Sequence, residues 1–181
     1  MKVYRVYVEK RKEEAVEAKE IQHRLKEEVG LTNIETLSIL NRYDVQGVSE
    51  ETLNQAIPTI LSEPMVDDVY LEDYTNENAK IFAIEYLPGQ YDQRADSTKQ
   101  CFELLTGETS VKVKCARVFV LTGNISEEDL TKIQHYLINP VDQRIASLDK
   151  FENLEDEVTS VASVPAVSYT HLRAHETAAN L

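Results

Sequence analysis

Ser49–Leu53 reads SEETL, and Ser126–Leu130 reads SEEDL. The two stretches begin 77 positions apart, and each has the form of a helix start. A serine just before a helix accepts a hydrogen bond from a free N–H of the first turn. Acidic residues directly after it meet the positive end of the helix dipole. Asp129, three residues beyond Ser126, completes a capping box. Downstream of each, a proline-led segment recurs: PMVD at Pro64–Asp67 and PVD at Pro140–Asp142. Capping motifs recur by chance, so the order of elements around them has to carry the argument.

That order is the same twice. Tyr4, Val6 and Val8 alternate as one face of a strand from Lys2 to Glu9. Ala18, Ile21, Leu25 and Val29 then make a stripe at helical spacing between about Lys12 and Val29, with Gly30 as its stop. A strand from Ile34 to Val45 puts Leu37, Ile39, Tyr43 and Val45 on one face. The helix after Ser49 buries Leu53, Ile57 and Ile60, and Pro58 predicts a kink or early break in it. A short strand follows from Asp68 to Tyr74.

The second half repeats strand, helix, long strand, helix, strand: Lys80–Tyr86, Asp92–Leu105, Val111–Leu121, the helix after Ser126, and a weaker strand at Gln143–Leu148. Ala95, Thr98, Phe102 and Leu105 share a face of the first helix, and Leu130, Ile133 and Leu137 of the second. Val118–Leu121 is apolar on both faces, which predicts cover on both sides and a place at the contact between halves. The fold class expected is α+β: two tandem ferredoxin-like βαβαβ pseudo-repeats with antiparallel sheet, residues 1–76 and 77–150, joined as a pseudo-dimer.

Composition narrows the function. Of 181 residues, 42% are hydrophobic and 28% charged, an ordinary globular mixture. The formal net charge is −13 and no run of Lys and Arg occurs, which argues against nucleic acid and anionic membrane as partners. No apolar run has the length of a membrane helix. The start, MKVYRVYVEK, alternates where a secretory signal would be continuously apolar, so Met1 reads as a true start. Cys101 and Cys115 lack CxxC spacing and read as reduced, half-buried thiols of a cytoplasmic protein.

No catalytic, cofactor-binding or metal-binding residue is expected. Asp67-Asp68 and Glu127-Glu128 lie at helix ends, where solvated charge is usual. His23 and His135 stand alone on helices. Five glycines form no phosphate-cradling loop. The segment with most to offer is LPGQYDQRADS, Leu87–Ser97. Pro88-Gly89 suits the centre of a type II turn, and Asp92 suits a helix cap. Tyr91, Gln93 and Arg94 are left as candidate docking residues, Arg94 offering a planar fork to a carboxylate.

PMVDDVYLEDY at Pro64–Tyr74 resembles the small partner subunit of phosphoribosylformylglycinamidine synthase. EYLPGQYDQRADSTKQCFELL, Glu85–Leu105, and NPVDQRIASLDK, Asn139–Lys150, are similar to the amino-terminal region of the large single-chain form of that family. The resemblance spans about Met1–Lys150 and departs at Phe151, where the family more often has proline. It implies a non-catalytic amino-terminal scaffold, resembling a fused dimer of the small subunit, that docks on the ligase domain of the same chain. It also implies that ATP, magnesium and the substrate are bound in that later domain, and that the glutaminase triad lies later still. The competing expectation is a free-standing regulatory module that binds a small effector between its halves, and a third is a separate small subunit.

Val167–Thr177, VSYTHLRAHET, resembles the translation of a transposase adapter used in DNA libraries. Residues 167–181 are therefore expected to be adapter-derived, residues 151–166 the start of a linker, and the natural protein to continue. His171 and His175, spaced as a metal pair on a helix would be, are accounted for by the adapter.

Overall fold

The computed structural model describes residues 2–154, so the expected tail and most of the expected linker lie outside the described residues. Six strands form one sheet: β1 (Val3–Lys10), β2 (Ile34–Gln46), β3 (Asp67–Leu71), β4 (Ala79–Tyr86), β5 (Lys112–Gly123) and β6 (Gln143–Ala146). Four α-helices connect them: α1 (Val16–Glu27), α2 (Glu50–Ala56), α3 (Gln93–Thr106) and α4 (Glu127–Leu137). The class is α+β. The strand order is β3-β1-β2-β5-β4-β6, antiparallel at every step. The central pair, β2 and β5, runs in register from Leu37↔Leu121 to Gln46↔Lys112.

Local chemistry sets the boundaries. Ser49 Oγ accepts from the Thr52 N–H at 3.1 Å. Ser126 Oγ accepts from Asp129 N–H at 3.0 Å while Asp129 Oδ2 accepts from Ser126 N–H at 3.2 Å, the expected box. Pro58 has no N–H to give, and α2 stops at Ala56 and passes into a π-helical turn, Ile57–Leu61. The α1 helix starts at Val16, later than the sequence suggests, and Ala15 at its cap offers no side-chain acceptor. Leu31 N–H donates to Leu25 O at 3.2 Å across Gly30, which has φ +78° and closes the helix. Gly123 sits where β2 and β5 are irregular; a Cβ there would lie 2.2 Å from Asn33 O.

The helices cover one face of the sheet over two apolar cores. One joins Ala18, Ile21 and Leu25 of α1 to Phe82, Ile84, Phe119 and Leu121 of β4 and β5, with Ile133 of α4. The other joins Phe102 of α3 to Tyr4, Val6, Val8, Tyr43 and Val45 of β1 and β2, with Leu53 of α2. Each core therefore draws on residues from both sides of position 77. Burying an aliphatic or aromatic side chain contributes roughly 1.5–3 kcal/mol, so neither set of strands keeps its core without the other. Phe102 and Thr98 are buried as the spacing predicts, but Leu105 turns half out and Leu104 is 86% exposed.

Among the described residues the opposite face carries no helix. Tyr7, Leu40, Ala83, Ala116, Val118, Val120 and Ala146 form a third apolar cluster there, flanked by Tyr74. Phe119 and Leu121 belong to the helix side, so Val118–Leu121 is covered on both faces as its sequence requires. After β6 the chain turns back across this face, and residues 147–154 lie over β2 and β1 as a strap ending in buried Leu154.

Candidate docking surface

The loop before α3 folds as its residues dictate. Gln90 N–H donates to Leu87 O at 3.0 Å, with Pro88 and Gly89 between them and Gly89 at φ +86°, a type II arrangement. Asp92 Oδ1 accepts from Ala95 N–H at 3.0 Å and caps α3. Tyr91, 70% exposed, swings over the helix start and donates its hydroxyl to Asp96 Oδ2 at 2.9 Å. That hydrogen bond to a carboxylate raises the Tyr91 phenol above its ordinary value. Gln93 is exposed in the first turn.

Arg94 is exposed as a residue, yet its guanidinium is partly covered and its Nη1 donates to the hydroxyl of buried Tyr43 at 3.2 Å. Burial is the largest influence and works against the guanidinium charge, but the Tyr43 hydrogen bond together with the charges of Tyr43, Cys115 and Asp92 outweighs it, so Arg94 ends above its usual value. Tyr43 is pushed up by burial, partly offset by Arg94. The three expected docking residues thus share one loop and helix start, but Arg94 is tied inward to β2 while Tyr91 faces solvent.

Two clefts flank this helix start. One, of about 580 Å3, lies among Glu17, Tyr43, Tyr86, Arg94, Thr98 and Arg117. The other, of about 300 Å3, lies beside Pro88, Lys99, Val111 and Lys114. Cys115 borders both and is buried, and burial raises its thiol well above the ordinary value, which keeps it a neutral wall residue. Cys101, by contrast, is exposed, so the two thiols are not alike as the sequence suggested. Charge in the larger cleft is mostly paired: Arg117 Nη2 meets Glu17 Oε1 at 2.7 Å, and Glu85 is held by Arg144. His23 and His135 are both exposed, and among the described residues no three His, Cys, Asp or Glu side chains stand where they could hold a metal ion.

Sequence reasoning missed a second polar centre, on the helix-free face. Arg5, Arg42 and Asp44 are each at most 1% exposed. Arg5 Nε donates to Asp44 Oδ1 at 2.5 Å, and Arg42 Nε lies 3.0 Å from Asp44 Oδ2. Three more guanidinium donors go to the strap: Arg5 Nη1 and Nη2 to Leu148 O and Asp149 O at 2.7 and 2.9 Å, and Arg42 Nη1 to Ser147 O at 2.7 Å. The Phe151 ring lies 5.5 Å from Arg5 and 5.8 Å from Arg42, with the Lys114 ammonium 5.2 Å away. Burial lowers the Arg42 guanidinium below its ordinary value, whereas for Arg5 the pair with Asp44 outweighs burial.

No protein-family model matches the chain, and no curated protein matches it. Among the described residues no helix is long and apolar enough to cross a membrane.

Proposed function

We propose that the chain is a non-catalytic amino-terminal scaffold of an ATP- and glutamine-dependent phosphoribosylformylglycinamidine synthase, built as two ferredoxin-like pseudo-repeats and docking on the ligase domain that follows. The observation that carries it is a repeated set of backbone bonds. Arg11 N–H donates to Val66 O at 2.8 Å, and 76 positions on Leu87 N–H donates to Asp142 O at 2.8 Å. Asp67 N–H donates to Glu63 O, and at the same spacing Gln143 N–H donates to Asn139 O. Strand order adds to this: β3-β1-β2 read from one edge has the connectivity of β6-β4-β5 read from the other. A duplicated unit packed about a pseudo-twofold axis, with β2 against β5, accounts for both. Fold alone does not give function; the purine-biosynthesis part rests on the resemblance of Glu85–Leu105 and Asn139–Lys150.

On this reading the protein is cytoplasmic, its partner is the ligase domain, and ATP and magnesium belong to that domain. Tyr91, Gln93 and Arg94 form part of the docking surface, the flanking clefts receiving side chains of the partner. The test is direct binding. The chain mixed with a ligase of this family lacking its own amino-terminal region should sediment with it as a one-to-one complex. Arg94→Ala should weaken that complex. Separate sedimentation would reject the reading.

One observation favours a second reading, a module that binds a small effector: the larger cleft is lined from α1, β2, β4, α3 and β5 together. A small molecule that protects the chain against heat, with no ligase present, would select it.

A further inference from the structure

The chain carries a formal net charge of −13, yet several basic side chains gather on the helix-free face. Strand alternation places Arg5, Arg42, Lys112, Lys114 and Arg144 there, around Asp44 and Glu85. At its centre the two guanidinium groups are sealed from water, and their outward donors converge on three successive carbonyl oxygens, those of Ser147, Leu148 and Asp149. Neutral carbonyls are weak partners for buried cations; an ionised oxyanion makes shorter and roughly twice stronger bonds. Asp44 supplies a single carboxylate to both arginines, so the buried trio keeps an excess positive charge. The seal is thin: Ser147–Lys150 is exposed, half-buried Phe151 roofs the arginines, and Leu154 is pinned by its N–H on Gln46 Oε1 at 2.8 Å.

We propose that Arg5 and Arg42, with Lys114 at their rim, form an oxyanion site that takes the phosphate group of a small soluble molecule, and that the strap 147–154 competes with the ligand for it. The strap carbonyls occupy the positions that phosphate oxygens take when the strap lifts. Asp44 braces the guanidinium planes and stays on the inner side. Because ligand and strap exclude one another, binding and release of the strap are one equilibrium. This inference does not rest on the scaffold reading and uses none of Tyr91, Gln93 and Arg94, although Lys114 also borders the smaller cleft.

The experiment uses the full chain with pyrophosphate as the probe. Hydrogen exchange at the Leu154 amide reports the strap, and calorimetry reports binding. Pyrophosphate should accelerate Leu154 exchange in the unaltered protein, beyond sodium chloride at matched ionic strength. Phe151→Ala, which removes the roof, should tighten binding by about tenfold as the open state becomes more populated. Lys114→Gln lies on a half-buried rim and should weaken binding several-fold with the fold intact. Leu154 exchange unmoved by pyrophosphate overturns the proposal, as does acceleration that sodium chloride reproduces. Binding unchanged by Lys114→Gln overturns it even where Phe151→Ala fails to fold.

Discussion

Phe82 and Phe119 stand directly opposite on β4 and β5, with their rings stacked 14° from parallel and 5.2 Å between centroids. The core that holds them takes in Ala18, Ile21 and Leu25 of α1, which enters from before β2, as well as Ile133 of α4, so this pair is roofed in part by the other end of the sequence. The reciprocal arrangement holds on the other side, where Phe102 of α3 covers Tyr4, Val6 and Val8 of β1.

This exchange of helices fixes how the protein comes apart. Residues 1–76 made alone lack every partner of α1 on β4 and β5, and residues 77–154 made alone keep β5 beside α3 but lose Tyr4, Val6, Val8, Tyr43 and Val45 from the core that holds Phe102. Each should give the poorly dispersed amide spectrum of an unfolded chain, and mixing the two should restore dispersion. A folded isolated half would contradict the shared cores.

Asp44 is the counter-ion of two buried guanidinium groups. Asp44→Ala leaves both uncompensated and should cost about 3–5 kcal/mol in denaturant unfolding. Replacing all three charges by apolar residues of like volume should cost far less, because the desolvation penalty disappears with the charge. Equal losses in the two variants would show that the trio does not act as a charge network.

Asp129 sits at the α4 cap, where hydrogen bonds from Asn33 and then from Ser126 hold its carboxyl below the ordinary aspartate value. A group depressed in the folded state stabilises above its unfolded pKa, about 3.9, and loses that contribution as pH falls through the folded value. Melting temperature should therefore fall more steeply below that pH in the parent protein than in Asp129→Asn. An identical acid limb in both would refute the assignment.

The thiols offer a simple probe of the core. Cys101 is exposed and Cys115 is buried with its thiol held neutral. At neutral pH a chromogenic disulfide should titrate one thiol quickly in the native protein and both in denaturant. Fast reaction of both in the native state would place Cys115 outside the core.

Much of this architecture is legible in the residues. Ser49, Ser126 and Asp92 cap the helices that their sequence context announces, and Leu87–Gln90 makes the turn that Pro88-Gly89 demands. Such features are local, and local geometry decides them. Arg5, Arg42 and Asp44 were not legible. Alternation assigns them to the face away from the helices, where a two-layer protein is wet. Only the strap makes that face an interior, and its contacts join residues more than a hundred positions apart. Three charges inside strands, Arg5 in YRVYV and Arg42 and Asp44 in NRYDV, are the one signal the sequence carries of a second buried layer. The inward bond of Arg94 to Tyr43 is equally hidden from the sequence, because it spans 51 positions.

The central claim, a docking scaffold with no reaction centre of its own, meets its most direct test in turnover. A ligase of the phosphoribosylformylglycinamidine synthase family lacking its amino-terminal region is assayed with formylglycinamide ribonucleotide, ATP, magnesium and ammonia, with and without this chain added. The account predicts that the chain alone is inert, that the mixture regains activity, and that Arg94→Ala raises the concentration needed. Turnover by the chain alone, or a mixture no faster than the truncated ligase, would contradict it.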